Sequence, residues 1–129
     1  MEIVKNIQIA ASPADVAAVM FDPAREHEWM TAVTSTSPRT AGITVGAEVD
    51  RTSVVAGQAV SWATQVSGFH FPHVLRLRIT GGQGGSVHYE VQRAGTGSVA
   101  VVRAASEVDL FGFDLQRLKA VVEGGGTEA

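Results

Sequence analysis

The sequence predicts an α+β domain: an antiparallel sheet of about six or seven strands, two short helices after the first strand, and one helix at the C-terminal end. Three observations carry that expectation. Alternating stretches meet across glycine turns at Gly57-Gln58 and Gly95-Thr96, proline-marked helix starts stand at Ser12-Pro13 and Asp22-Pro23, and one amphipathic stretch closes the chain. The 129 residues suit a single domain over 1–123, with the glycine-led residues 124–129 expected as a flexible tail.

Glu2 to Ala10 alternates weakly, with Ile3, Ile7 and Ile9 in one phase, and reads as the first strand. Ser12 can accept from an early helical amide, Pro13 needs no donor at the first helical position, and Asp15 suits the positive end. Val16, Val19 and Met20 give that helix its apolar stripe, and it stops before Pro23. Asp22-Pro23 caps a second short helix over Ala24 to Trp29, and a weaker strand covers Ala32 to Pro38. Thr40 to Gly46 is connection.

The central hairpin is expected to fold about Gly57-Gln58, pairing Val55 with Val60, Ser53 with Trp62, Arg51 with Thr64 and Val49 with Val66. These eight share one face, whose arginine, serine, threonine and indole among valines suit a cavity wall better than a packed core. The second strand is expected to end at Gly68, because Pro72 in the following Phe69 to His73 cannot donate to a ladder. Val74 to Thr80 is the next strand, with Leu75, Leu77 and Ile79 inward and Arg76 and Arg78 outward. The last hairpin turns at Gly95-Thr96, setting Val91 against Ala100, Tyr89 against Val102 and Val87 against Ala104, with His88, Glu90 and Arg103 on the solvated side. Ala100, Val102, Ala104, Ser106 and Val108 are small inward residues that leave volume for something to cover. A closing helix over Phe113 to Glu123, with Phe111, Leu115, Leu118 and Val122 on one face, supplies the cover.

Composition excludes several classes of function. Without cysteine there is no disulfide, thiol nucleophile or cysteine-held metal, and a net charge of −3 with scattered arginines argues against a backbone-dominated nucleic-acid binder. No apolar run reaches the roughly 18 residues of a membrane span, and no signal-like stretch opens the chain, so a cytoplasmic protein is expected. Gly81 to Gly85 has the glycines of a phosphate loop but neither its lysine nor its following helix, and it reads as a turn. No cofactor is expected.

The order of elements and their local wording resemble the SRPBCC superfamily of helix-grip domains, which includes START domains, the birch pollen allergen and polyketide cyclase/dehydrase-like proteins. The matching stretches are Ile9 to Pro23 with Trp29 after it, Val45-Gly46-Ala47 before a strand, Trp62 to Val66, Pro72 before Leu75, and Leu118-Lys119. Together they cover nearly the whole chain. The resemblance implies a curved sheet gripping the C-terminal helix, with a hydrophobic cavity between sheet and helix. Relatives have a longer closing helix. Here about 11 residues span only about 16 Å, so the cavity is expected to be open at one end or capped in a homodimer.

Candidate ligand contacts are the polar and aromatic Trp29, Arg51, Ser53, Trp62, Thr64 and Tyr89, the strand residues Leu77 and Val102, and Phe111 and Leu115 from the closing segment. A buried guanidinium must find acceptors. Arg51 therefore either meets a ligand carbonyl or carboxylate, snorkels to solvent, or pairs with an internal acid. The two tryptophans and Tyr89 serve either as walls for a flat ligand or as core. His70 at the cavity mouth is a candidate acid or base, and with Arg51 and Tyr89 it forms the candidate catalytic set. His70 and His73 lack a third ligand, so no metal site is expected. Glu26-His27-Glu28 reads as a solvated helix face.

Three functions fit. A binding protein for a small hydrophobic molecule, such as a lipid, polyketide or aromatic metabolite, leads. The alternative is a cyclase, aromatase or dehydrase-like enzyme using the same cavity without metal or covalent intermediate, and the third is a protein-interaction module with exposed apolar surface.

Overall fold

The structure is a computed structural model that describes residues 2–40, 42–81, 84–106 and 109–125. Its elements run β1 (Glu2–Ile9), α1 (Pro13–Met20), a 3₁₀ helix (Pro23–Glu28), β2 (Val33–Pro38), β3 (Glu48–Val55), β4 (Gln58–His70), β5 (Val74–Ile79), β6 (Ser86–Ala94), β7 (Gly97–Ala105) and α2 (Leu115–Gly125). The seven strands form one curled antiparallel sheet in the order β1-β7-β6-β5-β4-β3-β2. Its concave face holds the core, as the helix-grip expectation requires.

Local chemistry sets the helix starts as anticipated. Ser12 accepts from the Asp15 amide at 3.2 Å ahead of Pro13, and Asp22 accepts from the Ala24 amide at 3.0 Å ahead of Pro23. The last hairpin has the expected register, Val91 opposite Ala100 and Tyr89 opposite Val102. On its outer face Arg76 donates to His88, whose ring faces Glu90 at 3.3 Å.

The central hairpin departs from its expected register. Its turn is Ala56-Gly57, with φ of +51° and +81°, so both central residues are left-handed as a type I′ turn demands. Ser53 therefore faces Val60, Arg51 faces Trp62 and Val49 faces Thr64. The pairing slides by two residues, which preserves side-chain parity, and Val49, Arg51, Ser53, Trp62, Thr64 and Val66 all point inward and are buried. β4 also continues to His70, past a register shift between Val66 and Gly68, and the chain turns only at the cis Phe71-Pro72 bond.

The closing helix is as short as expected but starts at Leu115, where the Asp114 carboxylate accepts from the Arg117 amide at 3.1 Å. It includes Gly124 and Gly125, so the expected tail is helical there; residues 126–129 lie outside the described residues, as do parts of the Gly81 to Gly85 turn and Val108. The segment before α2 runs beside the end of the 3₁₀ helix. Thr31 donates to the Gly112 carbonyl at 2.8 Å, Ala32 to that of Phe111 at 3.2 Å, and Asp114 to that of Trp29 at 3.1 Å. Gly112 makes this approach possible: its φ is +67°, and a Cβ there would stand 2.4 Å from the Thr31 hydroxyl and 2.7 Å from the Ala32 nitrogen.

Holding this segment in place drives Phe111 and Phe113 into the concave face, where their rings stack 4.7 Å apart. Trp62 meets Phe111 edge-on at 4.8 Å, Trp29 lies 5.8 Å from Phe113, Tyr89 lies 6.2 Å from Trp29, and Phe21 stacks on Tyr89 at 6.1 Å. Phe69 and Phe71 join through Phe21. All five phenylalanines, both tryptophans and the single tyrosine thus form one connected aromatic run, which crosses the interior and ends at the exposed Phe71.

Candidate functional site

A cavity of about 460 Å³ lies toward one flank of the concave face. It is bounded by α1 and the start of the 3₁₀ helix (residues 17–26), by the β2–β3 connection (residues 38–47), and by the inward side chains of β3, β4, β5 and β6. The lining is chiefly apolar, with Val49, Val66, Leu75 and Leu77 as its floor and Phe69 and Phe71 at one side. Its size is that of a pocket for a small organic molecule.

This position corrects the expectation of a hollow between the sheet and the C-terminal helix. No residue of α2 lines the cavity. Phe111, Phe113, Trp62, Trp29 and Leu118 fill that side of the interior, all but sealed from solvent. Of the expected contact residues, Arg51, Leu77 and Tyr89 line the cavity; Trp29, Ser53, Trp62, Thr64, Val102, Phe111 and Leu115 pack elsewhere in the core. His70 is exposed at the end of β4, its ring 6.3 Å from that of His73, and it does not line the cavity. His73 bonds through Nδ1 to the Val91 carbonyl at 2.8 Å, and no group of three metal-ligating side chains occurs among the described residues.

The polar inner residues largely satisfy one another. The Trp62 indole donates to the Ser53 hydroxyl at 2.9 Å, and that hydroxyl donates to the Leu110 carbonyl at 2.6 Å, pinning the stretch of chain that leads to Phe111. Arg51 finds its acceptors inside the protein. Its Nε donates to Glu26 Oε1 at 2.8 Å and its Nη2 to Glu26 Oε2 at 2.5 Å, while Nη1 donates to the Thr64 hydroxyl and the guanidinium lies 5.4 Å from the centre of the Trp62 ring. Both side chains of the pair are buried, at 2% and 5% exposure. Burial opposes the charge on Arg51, but the Glu26 bonds outweigh it and hold the guanidinium above its ordinary pKa.

Glu26 is thus the buried, cavity-lining residue that the solvated-face reading of Glu26-His27-Glu28 misses. The usable signal was Arg51 itself, an inward arginine that calls for a carboxylate.

Tyr89 stands apart from this network. It is 1% exposed and borders the cavity, yet its hydroxyl has no hydrogen-bond partner among the described residues; the Trp29 indole nitrogen, one ring away, is the other such group. Burial first, and the Glu26 carboxylate second, push the phenol well above its ordinary 10, with Arg51 opposing. It is a protonated donor at any physiological pH.

The chain matches the family described as polyketide cyclase / dehydrase and lipid transport over residues 1–127. A search among curated proteins finds no match. Among solved structures it is similar to TTHA0849 from Thermus thermophilus (TM-score 0.78, 14% identity, covering 98% of this chain and 100% of that one) and to DR_A0006 from Deinococcus radiodurans (0.77, 18%, 97% and 98%). Ara h 8.0201 is a further neighbour (0.67, 14%, 97% and 96%). At such identities these neighbours speak to the fold. The match over nearly the full length, joined to the curled sheet closed by its C-terminal helix, places the chain in the polyketide cyclase/dehydrase and lipid transport family of the SRPBCC superfamily.

Proposed function

We propose that this protein binds a small, predominantly hydrophobic molecule in the cavity between α1, the β2–β3 connection and the sheet. The observation that carries the reading is a roughly 460 Å³ apolar hollow lined in part by Tyr89, whose buried hydroxyl has no partner among the described residues. A protein that only needed a stable core would fill such a space and satisfy such a group, since both cost stability. The family's description, cyclase/dehydrase and lipid transport, accords with a ligand of lipid or polyketide type.

The test is displacement of the neutral dye N-phenyl-1-naphthylamine, together with native mass spectrometry of protein purified from its own host. Ala18 lines the cavity from α1 and is exposed, so Ala18→Trp blocks the mouth without disturbing the core. The parent protein is expected to bind the dye and the variant to lose at least about tenfold in affinity with an unchanged melting temperature. Equal binding by both would place the dye elsewhere and remove the proposal.

Tyr89 also favours a second reading. A phenol kept protonated by burial and by the Glu26 carboxylate would supply the donor that polarises a ligand carbonyl, the step that a cyclase or dehydratase needs. In that reading Tyr89 is the catalytic donor and the Glu26–Arg51 pair orients the wall behind it. Turnover surviving in Tyr89→Phe would count against it.

A further inference from the structure

We infer that the cavity selects an uncharged ligand carrying one hydrogen-bond acceptor, a ketone, ester or alcohol oxygen seated on the Tyr89 hydroxyl, and rejects carboxylates. The inference rests on the proposed function and specifies its ligand class. It starts from the ionisable groups that border the hollow. Three are acids, Asp22, Glu26 and Glu48, and one is a base, Arg51. Arg51 already spends its guanidinium on Glu26 and Thr64, so it has no free charge to give a ligand anion. Asp22 caps the 3₁₀ helix through the Ala24 amide, and Glu48 is held from outside by Arg39. A carboxylate entering this space would lose its hydration, meet Glu26 and find no unpaired cation, which is the costly way to bury a charge.

A neutral oxygen meets the opposite situation. Tyr89 is a buried donor without an acceptor among the described residues, and an acceptor on the ligand would repay the desolvation already spent on that hydroxyl. A pure hydrocarbon would fill the hollow but leave the hydroxyl unpaired. Hydroxyl and apolar lining together therefore describe an amphiphile with one neutral oxygen, rather than a fatty acid or a hydrocarbon.

Three probes on one skeleton test this: 2-acetylnaphthalene, 2-ethylnaphthalene and 2-naphthoate, each displacing N-phenyl-1-naphthylamine at pH 7 from the intact protein and from Tyr89→Phe. The naphthoate is expected to bind at least about tenfold more weakly than the ketone. The ratio of ketone to hydrocarbon affinity is expected to fall roughly three- to tenfold in Tyr89→Phe, the size of one lost hydrogen bond. Hydrocarbon affinity serves as the internal control for an intact cavity and is expected to hold. A naphthoate that binds as well as the ketone, or a ketone-to-hydrocarbon ratio unmoved by Tyr89→Phe, overturns the inference while leaving the cavity's binding role intact. Failure of the dye and all three probes to bind overturns the binding role itself, and this inference with it.

Discussion

Cutting the Glu26–Arg51 pair from either side should give two unequal outcomes. Both side chains are nearly sealed from solvent and are joined by two charge-assisted bonds. Removing one partner of such a pair strands the other, at a cost of about 3 to 5 kcal/mol. For a domain of this length each kcal/mol moves the melting temperature by about 4 °C, so a drop of roughly 12 to 20 °C is expected. The two sides differ because arginine cannot shed its proton whereas a carboxylate can take one up. Glu26→Leu leaves a buried guanidinium with Thr64 as its remaining partner and should be the worse variant at every pH. Arg51→Met strands a carboxyl group instead, the lesser loss, because a carboxyl group can be neutral where a guanidinium cannot. The double variant Glu26→Leu/Arg51→Met should melt well above the sum of the two losses, because neither charge is left behind. Thermal melts followed by circular dichroism decide the matter. Single variants within about 3 °C of the parent, or equal losses in both, would show that water reaches the pair, and the reasoning about a desolvated wall would fall with it.

Other consequences are as readily measured. Tyr89→Phe removes a buried hydroxyl without a partner and should raise the melting temperature of the unliganded protein by about 4 °C, reflecting about 1 kcal/mol; a fall instead would mean that the hydroxyl is satisfied. Gly112→Ala forces a Cβ into Thr31 and Ala32 at positive φ and should cost more than about 2 kcal/mol by urea unfolding, with loss of near-ultraviolet dichroism from the Phe111–Phe113 stack. Ala56→Asn should stabilise by about 0.5 to 1 kcal/mol, because asparagine tolerates the left-handed conformation better than alanine. Glu28, Asp50, Glu90 and Glu123 are held below their ordinary carboxylate values by hydrogen bonds, from Arg25, Arg39, Gln92 and the Ala10 amide respectively. A depressed folded pKa contributes stability that is complete above the unfolded value and lost as pH drops through the folded one. The melting temperature should therefore hold steady above about pH 5 and decline below about 4.5, less steeply in Glu123→Gln.

How much of this could be read from the chain depends on what each signal needs. The faces of the strands were legible because parity survives a misplaced turn: moving the hairpin tip from Gly57-Gln58 to Ala56-Gly57 changes every partner yet leaves Arg51, Ser53, Trp62 and Thr64 inward. The tip itself was misread because alanine rarely adopts positive φ, so the glycine was assigned the first turn position. The helix starts were local chemistry, a serine or aspartate before a proline, and they hold. The site was less accessible. That Arg51 pairs with an acid was among the possibilities its position raised, but Glu26 lies 25 residues away on a short 3₁₀ helix with no periodicity to declare its inner side. The displaced cavity was hidden for a related reason. Whether Phe111 and Phe113 fill the space beneath α2 depends on the backbone bonds of Gly112 to Thr31, a contact between distant segments that no stretch announces alone.

The aromatic plug beneath α2 divides the labour of the fold. Trp62, Phe111, Phe113 and Leu118 form the packed side of the interior, whereas the proposed ligand cavity is bounded by α1 and the β2–β3 connection, with Tyr89 and Trp29 among the residues that join the two. Side chains of the β2–β3 connection could drift or be redesigned toward new molecules without endangering the scaffold. The same adjacency of Tyr89 to Trp29 makes the indole a built-in optical reporter of whatever occupies the chamber.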